Sequence, residues 1–512
     1  MPPPVSLSRT LSLFLCLFLT ACASVPLDRP REESFALQDT QETRAAQNSE
    51  HWRAANPELN GVYPLTKGKD AFGVRLALAD GAERSIDVQY FLMKPDHAGL
   101  VFIDRLMDAA DRGVRVRFLL DDIFTTVDDS GLTFMNDHPN IELRIFNPIS
   151  RKGLSALNYV GTFKLSNRRM HNKSFIIDNE IAVVGGRNIA VEYFQLETTG
   201  EFIDFDMLAA GPVVKEVSAS FDEYWNHELA VPMEYLRERE DEEKQKKNRA
   251  ILKAEMAESG ESIYAEVTNT ELLQQMVRQE VDPFLAEATM IVDEPSKLLN
   301  PIDEEFQIVA REVGEALAAA QKEIIIYTPY LIPGDRGKEL LADLSRRDVR
   351  VIIVTNSLAT NNHTPVHSAY TRHRKDLLNA GVELWEARAD AAKITAPDGT
   401  TQLDKLTLHT KGMIIDQRYT FVGSLNLDPR SIDINTEMGL LIDSVELGEQ
   451  LSSESHASIP RMAYRVLMDQ NGKLSWHATI DGEQVVETTE PQTTSWDRFK
   501  GWFMKIAPES QL

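Results

Sequence analysis

The sequence has little cysteine, few basic residues and no apolar run that spans a bilayer. Two of its 512 residues are cysteine, and Cys16 lies in a leader that would be removed, so the mature chain could form no internal disulfide. The net charge of -25 argues against nucleic acid as the main partner, because binding to a phosphate backbone depends on Lys and Arg. An anionic lipid headgroup is not excluded, since it needs only a local basic pocket.

The first 22 residues differ from the rest of the chain. Arg9 is their only charged residue, residues 11–19 are an apolar run, and Leu19-Thr20-Ala21-Cys22 follows. Crossing a bilayer takes about 20 apolar residues, so the pattern predicts a signal peptide in residues 1–22. The final tetrapeptide resembles the lipobox of bacterial lipoproteins, which predicts lipidation of Cys22; a plain secretory or transmembrane leader is the alternative.

A lipidated Cys22 predicts a periplasm-facing lipoprotein at a membrane surface. Ala23 follows in place of the Asp that commonly retains lipoproteins at the inner membrane, so delivery to the outer membrane is expected. Residues 23–55 are rich in Pro, Glu, Gln and Ser at their start and are predicted to be a tether.

One pattern occurs twice, an H-x-K-x-x-x-x-D motif followed at fixed spacing by a Gly-Gly or Gly-Ser pair and an Asn. Because the spacing is identical in both copies, a duplicated half-site that assembles in space explains them better than chance. Residues 112–120 also resemble residues 347–354 at nearly the same offset, so the repeat is the size of a domain. The copies are His171, Lys173, Asp178, Gly185, Gly186 and Asn188, and His409, Lys411, Asp416, Gly423, Ser424 and Asn426.

Each motif is preceded by a strand, a helix and a second strand in the hydrophobic pattern, which predicts an α/β fold with a parallel or mixed sheet. Each motif itself predicts a hairpin with a short polar turn. The predicted segments are strands 85–92 and 323–331, helices 100–112 and 337–347, and hairpins 173–184 and 413–422.

The two motifs predict a shared phosphoryl-transfer site. His and Lys two residues apart on a strand point to one face, whereas the Asp falls at the turn and is expected to anchor neighbouring backbone. Two Lys with Asn188 and Asn426 could cradle a phosphate. One neutral His as nucleophile and one protonated His as acid suit in-line displacement and predict a bell-shaped pH profile. A metal site is disfavoured, since each His has a Lys on its own face.

These motifs resemble the HKD motifs of the phospholipase D superfamily, and the segments that flank them resemble its bacterial cardiolipin synthase C branch. The resemblance implies two similar α-β-α sandwich halves with the active site at their interface. It also implies transfer through a phosphohistidine without metal or cofactor, with His171 often the nucleophile and His409 the acid, or the reverse. An acidic residue downstream of each motif orients the imidazole in this family, which indicates Glu437 in the second half and Asp204 in the first, with Asp206 as a competitor.

Formation of cardiolipin from phosphatidylglycerol and a donor phospholipid, which could be phosphatidylethanolamine, is therefore the first functional hypothesis. Hydrolysis to phosphatidic acid is the second; a nuclease or other phosphodiesterase, or a scaffold with a dead site, is less favoured. A variable loop at 389–406 could shield the site from water. The predicted organisation is 1–22 signal peptide, 23–55 tether, 56–235 first half, 236–300 charged helical linker or insertion, 301–460 second half and 461–512 C-terminal strand pair and amphipathic helix.

The C-terminal helix has an apolar face beside three basic residues. This pattern suits a helix lying in a membrane interface and equally one that packs on the protein's own core. The residues are Trp496, Phe499, Trp502, Phe503 and Ile506, with Arg498, Lys500 and Lys505.

Overall fold

The computed structural model describes residues 27, 29–122, 129–149, 163–196, 201–237, 241–391 and 406–512. The predicted leader with Cys22 and most of the 389–406 loop lie outside these residues. Among the helices of the described ranges, none is both long and apolar enough to cross a membrane.

The main strands join into one sheet of 18 strands made of two similar arrays. In chain order the strands of the first half are β1 Asn60–Leu65, β2 Ser85–Tyr90, β3 Arg115–Asp121, β4 Ile141–Phe146, β5 Ser174–Ile177, β6 Ile181–Gly185, β7 Glu201–Ile203, β8 Asp206–Ala210 and β9 Ala230–Pro232. In the first array the order is β9-β4-β3-β2-β5-β6-β8-β1, with β2, β3 and β4 parallel and β5 antiparallel to β2.

The remaining strands are β10 Phe284–Val292, β11 Glu323–Tyr327, β12 Arg350–Asn356, β13 Glu383–Ala387, β14 Leu406–Leu408, β15 Gly412–Ile415, β16 Tyr419–Gly423, β17 Met438–Asp443, β18 Ala463–Met468, β19 Leu474–Ile480 and β20 Glu483–Glu487. The second array repeats the order of the first as β18-β13-β12-β11-β15-β16-β17-β10, and β19 and β20 extend it beyond β18. Its edge strand β10 pairs antiparallel with β1, which joins the two arrays.

Helices cover both faces of each array, so each half is an α-β-α sandwich as predicted. The core on one face is shared, since Val217 and Leu440 belong to the same buried cluster although they come from different halves. The α-helices are Arg44–Arg53, Gly68–Gly81, His97–Asp111, Asp129–Asn136, Phe163–Ser166, Val191–Phe194, Val213–Asn226, Glu242–Glu255, Glu261–Thr268, Glu271–Val277, Ile308–Ala318, Gly334–Arg346, Thr364–Asn379, Val445–Met462 and Ser495–Phe503.

The strand-helix-strand segments and both hairpins form where the sequence predicted them. In each hairpin the motif Asp and the next residue adopt positive φ, for example +52° at Asp178 and +53° at Asn179. Asp and Asn tolerate this left-handed region better than most residues, because their short side chains hydrogen-bond locally. The turn chemistry thus agrees with the register of the hairpin.

Three segments differ from the predictions. The described part of the predicted tether packs on the first half, where Thr40 donates to Glu180 at 2.7 Å. The predicted linker or insertion, 236–300, contributes helices with buried side chains such as Leu252 and Val267, and it includes β10. Its high charge hid this strand, which lies across the junction of the two arrays. The C-terminal region has three strands rather than a pair.

Candidate active site

Each half completes the site of the other through short backbone pairings. The segment before the second motif, β14, pairs parallel with β7 of the first half, and the His409 N–H donates to Ile203 O at 2.8 Å. In the same way the His171 N–H donates to Thr436 O at 3.0 Å. These crossed pairings bring the two motif histidines to the interface that the sequence predicted.

A carboxylate from the opposite half holds each imidazole. His171 Nδ1 lies 2.8 Å from Glu437 Oε2, and His409 Nδ1 lies 2.6 Å from Asp204 Oδ2. The sequence indicated the two acids but could not show that the pairing crosses between the halves. In each pair the contact at Nδ1 orients the ring and turns Nε2 away from the carboxylate. Lys411 Nζ lies 3.3 Å from His409 Nε2.

The competitor Asp206 has a different role. It accepts from Arg75 at 2.8 Å and from Arg187 at 3.2 Å, and all three side chains are buried. A paired buried ion cluster of this kind holds the start of β8 in place. Asp204 is therefore the acid that reaches an imidazole.

The two motif lysines lie beside the histidines in buried surroundings. Lys173 Nζ donates to His171 O, and Lys411 Nζ lies 2.9 Å from His409 Nδ1. Burial lowers the pKa of Lys173 to about 7 and that of Lys411 to about 8. An anionic phosphate placed between them would favour their charged forms.

The two carboxylates differ in ionisation. Burial raises the pKa of Glu437 to about 7, although Lys173 opposes the effect. Burial also acts on Asp204, but Lys411 and His409 outweigh it and lower the pKa of that carboxyl. Near neutral pH the carboxyl of Glu437 is thus partly protonated, whereas that of Asp204 is ionised.

Both imidazoles favour the neutral form. Burial, followed by the charge of Lys173, lowers the pKa of His171 well below its ordinary value. Burial and the charge of Lys411 lower the pKa of His409 to about 4, while Asp204 acts in the opposite direction. His409 is therefore the imidazole that has an ionised partner to stabilise a proton.

The two motif aspartates, Asp178 and Asp416, were predicted to be catalytic by the family motif and to anchor backbone by their position at the hairpin turns. The structure shows the anchoring role. Asp178 accepts from three successive N–H groups at residues 83–85, at 2.7 to 3.0 Å. Asp416 accepts from the N–H groups of residues 321–323 at 2.7 to 3.0 Å. Each thus ties its hairpin to the start of the neighbouring strand.

The small pairs after each motif permit close approach, while the two asparagines are already engaged. A Cβ at Gly186 would meet Asp204 Oδ1 at 2.2 Å, and one at Gly423 would meet a backbone oxygen at 2.2 Å. Asn188 donates to the Tyr193 hydroxyl at 3.0 Å, and Asn426 donates to Ser431 at 3.2 Å. Contact between these amides and phosphate stays a prediction.

Aromatic walls around the imidazoles were missed by the sequence reasoning. Phe202 stacks on His409 with ring centroids 5.1 Å apart, and Tyr193 meets the same ring edge-on at 5.1 Å. Phe91 meets His171 edge-on at 4.8 Å. Isolated aromatics carry no spacing signal. The positions of Tyr193 shortly after Asn188 and of Phe202 shortly before Asp204 could have indicated those two, but no such neighbour indicates Phe91.

Apolar surface continues beside the site. A cavity of about 220 Å³ is lined by Asp204 and Thr410 and otherwise mainly by apolar side chains, including Ile203, Leu408 and Leu451. The described ranges contain no cluster of three or more His, Cys, Asp or Glu side chains that could hold a metal ion. A reaction without metal stays a prediction from the motifs.

The chain matches known proteins over both halves. Residues 76–225 and 313–457 match the family described as cardiolipin synthase, phospholipase D-like domain. Cardiolipin synthase C of Escherichia coli K12 is 33% identical over 472 residues, which cover 89% of this chain and 97% of that protein. Cardiolipin synthase of Oceanobacillus iheyensis is 26% identical over 80% of this chain and 71% of that protein.

A solved structure shares the fold. Phosphatidylserine synthase of Haemophilus influenzae superposes with a TM-score of 0.56, covering 91% of this chain and 96% of that one, at 13% sequence identity. This likeness supports the arrangement of two sandwich halves.

Proposed function

This chain belongs to the family of phospholipase D-like cardiolipin synthases, and from that premise we propose that it forms cardiolipin by transferring a phosphatidyl group to phosphatidylglycerol. The observation that carries the proposal is the pair of histidines, each held by a carboxylate of the opposite half and each accompanied by a buried lysine. Two imidazoles and two cations suit displacement at a phosphodiester.

The two steps balance if His171 acts as the nucleophile and His409 as the acid. His409 takes up a proton when the anionic phosphate of the donor binds beside it, because a nearby anion favours the imidazolium. His171 Nε2 then attacks phosphorus, the bond from phosphorus to the donor headgroup oxygen breaks, and His409 gives that oxygen its proton. The terminal hydroxyl of phosphatidylglycerol then passes its proton to His409 and attacks phosphorus, which releases His171. This assignment follows from the ionised partner of His409, Asp204, which stabilises an imidazolium better than the partly protonated Glu437 does.

Transfer is favoured over hydrolysis by the environment of the histidines. Their exposed fractions are 8% for His171 and 6% for His409, and aromatic rings cover both. Limited access of water favours a lipid hydroxyl as the acceptor, because such an acceptor arrives with its own apolar surface. The apolar cavity beside Asp204 supports a lipid substrate for the same reason.

The test is to incubate the purified protein with phosphatidylglycerol, with and without phosphatidylethanolamine, in the presence of EDTA, and to separate the lipid products. Cardiolipin is expected, and EDTA should not reduce it. The His171→Ala variant should form none, whereas His456→Ala, which removes a partly exposed His paired with Glu323 at 2.9 Å, should act like wild type. Phosphatidic acid without cardiolipin would establish hydrolysis in place of transfer.

We also propose that Cys22 carries a lipid that holds the protein at the periplasmic face of a membrane, with the outer membrane expected. The support is the lipobox pattern in the sequence. Mass spectrometry of the N-terminal peptide and membrane fractionation would test this, and a mature N-terminus without an acyl group would refute it.

A further inference from the structure

The helix Ser495–Phe503 and the turn after it present apolar side chains to solvent. Four aromatic and two aliphatic side chains form what we call the C-terminal ridge, with exposed fractions from 37% to 76%. In the described part of the chain, Phe35 is the only other aromatic residue of comparable exposure. The ridge consists of Trp496, Phe499, Trp502, Phe503, Met504 and Ile506.

The inner side of this helix shows why the ridge faces outward. Gly501 is buried, and a Cβ there would lie 3.5 Å from Leu358. A capping box between Thr494 and Asp497 fixes the first turn. Since the helix packs through its smallest residue, its large side chains remain outside. Core packing, which the sequence left open, is therefore not the role of the ridge.

The ridge rings also contact one another. Phe499 lies 5.4 Å from Trp496 and 6.0 Å from Trp502 between ring centroids. Together they form one continuous apolar surface instead of scattered exposed residues. Such a surface, rich in Trp and Phe, suits the boundary between headgroups and acyl chains.

Basic side chains lie next to the ridge. A pocket of about 350 Å³ is lined by Lys375, Arg498 and Lys505, and none of these three forms an ion pair within the described ranges. Arg374, in the same pocket, is instead neutralised by Glu386 and Glu490. In a chain of net charge -25, such a local excess of unpaired cations is complementary to an anionic surface.

The end of the chain ties this region to the loops around both motifs. The Gln511 side chain accepts from Asn167 at 3.1 Å, four residues before His171. Arg430, four residues after Asn426, donates to Gln511 O at 3.0 Å. The C-terminal segment that carries the ridge is therefore hydrogen-bonded to a loop next to each motif.

We propose that the C-terminal ridge and its basic pocket dock onto an anionic phospholipid bilayer. The aromatic side chains enter the headgroup boundary, and Lys375, Arg498 and Lys505 contact lipid phosphates. This docking is separate from the lipid predicted on Cys22 and does not depend on the reaction that the enzyme catalyses.

Fluorescence quenching by brominated lipids tests the docking in the full chain, whether or not it carries an anchor. Vesicles of brominated phosphatidylglycerol should quench tryptophan emission more strongly than vesicles of brominated phosphatidylcholine. The double variant Trp496→Phe/Trp502→Phe should lose at least half of the quenched signal, because it removes the reporters and keeps the apolar surface. The control variant Trp52→Phe changes a half-buried tryptophan near the start of the described chain and should leave the quenching unchanged.

The charge contribution is tested with Lys375→Gln/Lys505→Gln, which should reduce quenching by the anionic lipid to the level seen with phosphatidylcholine. Equal quenching of wild type and Trp496→Phe/Trp502→Phe would overturn the proposal. A second result would also overturn it: in lipid-free solution, wild type sediments as a dimer and Trp502→Ser/Phe503→Ser sediments as a monomer. The ridge would then join two copies of the chain.

Discussion

The two halves share a backbone plan but differ in the charge that each gives to the other's histidine. The first half supplies Asp204, whose pKa is lowered by Lys411 and His409 against the effect of burial. The second half supplies Glu437, whose pKa burial raises to about 7. The two halves thus share one fold, but the carboxyl groups that they place beside the histidines differ in charge near neutral pH.

The position two residues after each of these acids also differs in charge between the halves. At the register position where the first half has Asp206 opposite Gly185, the second half has Gly439 opposite Gly423. Asp206 has two arginine partners, whereas the glycine offers none. The two halves thus share the strand pairing at this position and differ in the charge that it carries.

The largest expected effect separates the two histidines. With a phospholipid donor, His171→Ala and His409→Ala should each lose activity by about 10²-fold to 10⁴-fold or more. With a phosphatidyl p-nitrophenyl ester, whose leaving group needs no proton, His409→Ala should recover most of its rate and His171→Ala should not. The release of p-nitrophenolate in the first turnover, followed by absorbance after rapid mixing, measures this.

The same experiment can also show that the roles assigned to the two histidines are reversed. Recovery by His171→Ala instead of His409→Ala would exchange the roles of nucleophile and acid. His456→Ala serves as the control with both donors, since it changes a histidine outside the site.

The second prediction concerns the two carboxylates. Asp204→Asn should lower kcat by about 100-fold, because it removes the anion that stabilises the His409 imidazolium. Glu437→Gln should cost about tenfold, since its carboxyl is partly neutral near pH 7 and its main contribution is to orient His171. Steady-state cardiolipin formation measures both; equal losses would mean that the two acids carry the same charge during turnover.

Much of the site could be predicted from the sequence because its signals are local. The repeated spacing of His171 and Lys173 predicted one site shared by two halves, although both residues precede β5 and do not lie on it as predicted. Asp204 and His409, which form one of the crossed pairs, are separated by 205 residues along the chain. No local pattern encodes such a contact, so only the structure could show it.

The errors in the fold have equally specific causes. Residues 29–55 are polar and irregular in pattern, yet Arg31 donates to His227 O at 2.8 Å and Ala36 N donates to Asp222 at 2.9 Å. These are tertiary contacts that composition cannot reveal. Strand β10 was not predicted because it directly follows a long charged helical segment and its residues do not alternate strictly between apolar and polar.

A third prediction compares the two anchoring aspartates. Asp178 is fully buried and Asp416 is partly exposed, although both accept from three backbone N–H groups. Asp178→Ala should lower the free energy of unfolding by about 2 kcal/mol, and Asp416→Ala by about 1 kcal/mol, because water can replace part of the second anchor. Urea unfolding followed by circular dichroism measures both, and a larger loss for Asp416→Ala would contradict the comparison.

The smallest expected effect is on the acid limb of the pH profile. A carboxyl with a pKa of about 7 is mostly neutral below that pH and mostly ionised above it. Ionised Glu437 holds His171 with a proton on Nδ1 and a free Nε2, so kcat should rise up to about tenfold between about pH 6 and about pH 8. Saturating donor lipid keeps weaker phosphate binding by neutral Lys173 and Lys411 from masking this rise. Glu437→Gln should flatten the limb, whereas Asp204→Asn should retain it at a lower rate, because the pKa of Asp204 lies below this window. A limb that persists in Glu437→Gln would assign the titration to another group of the site.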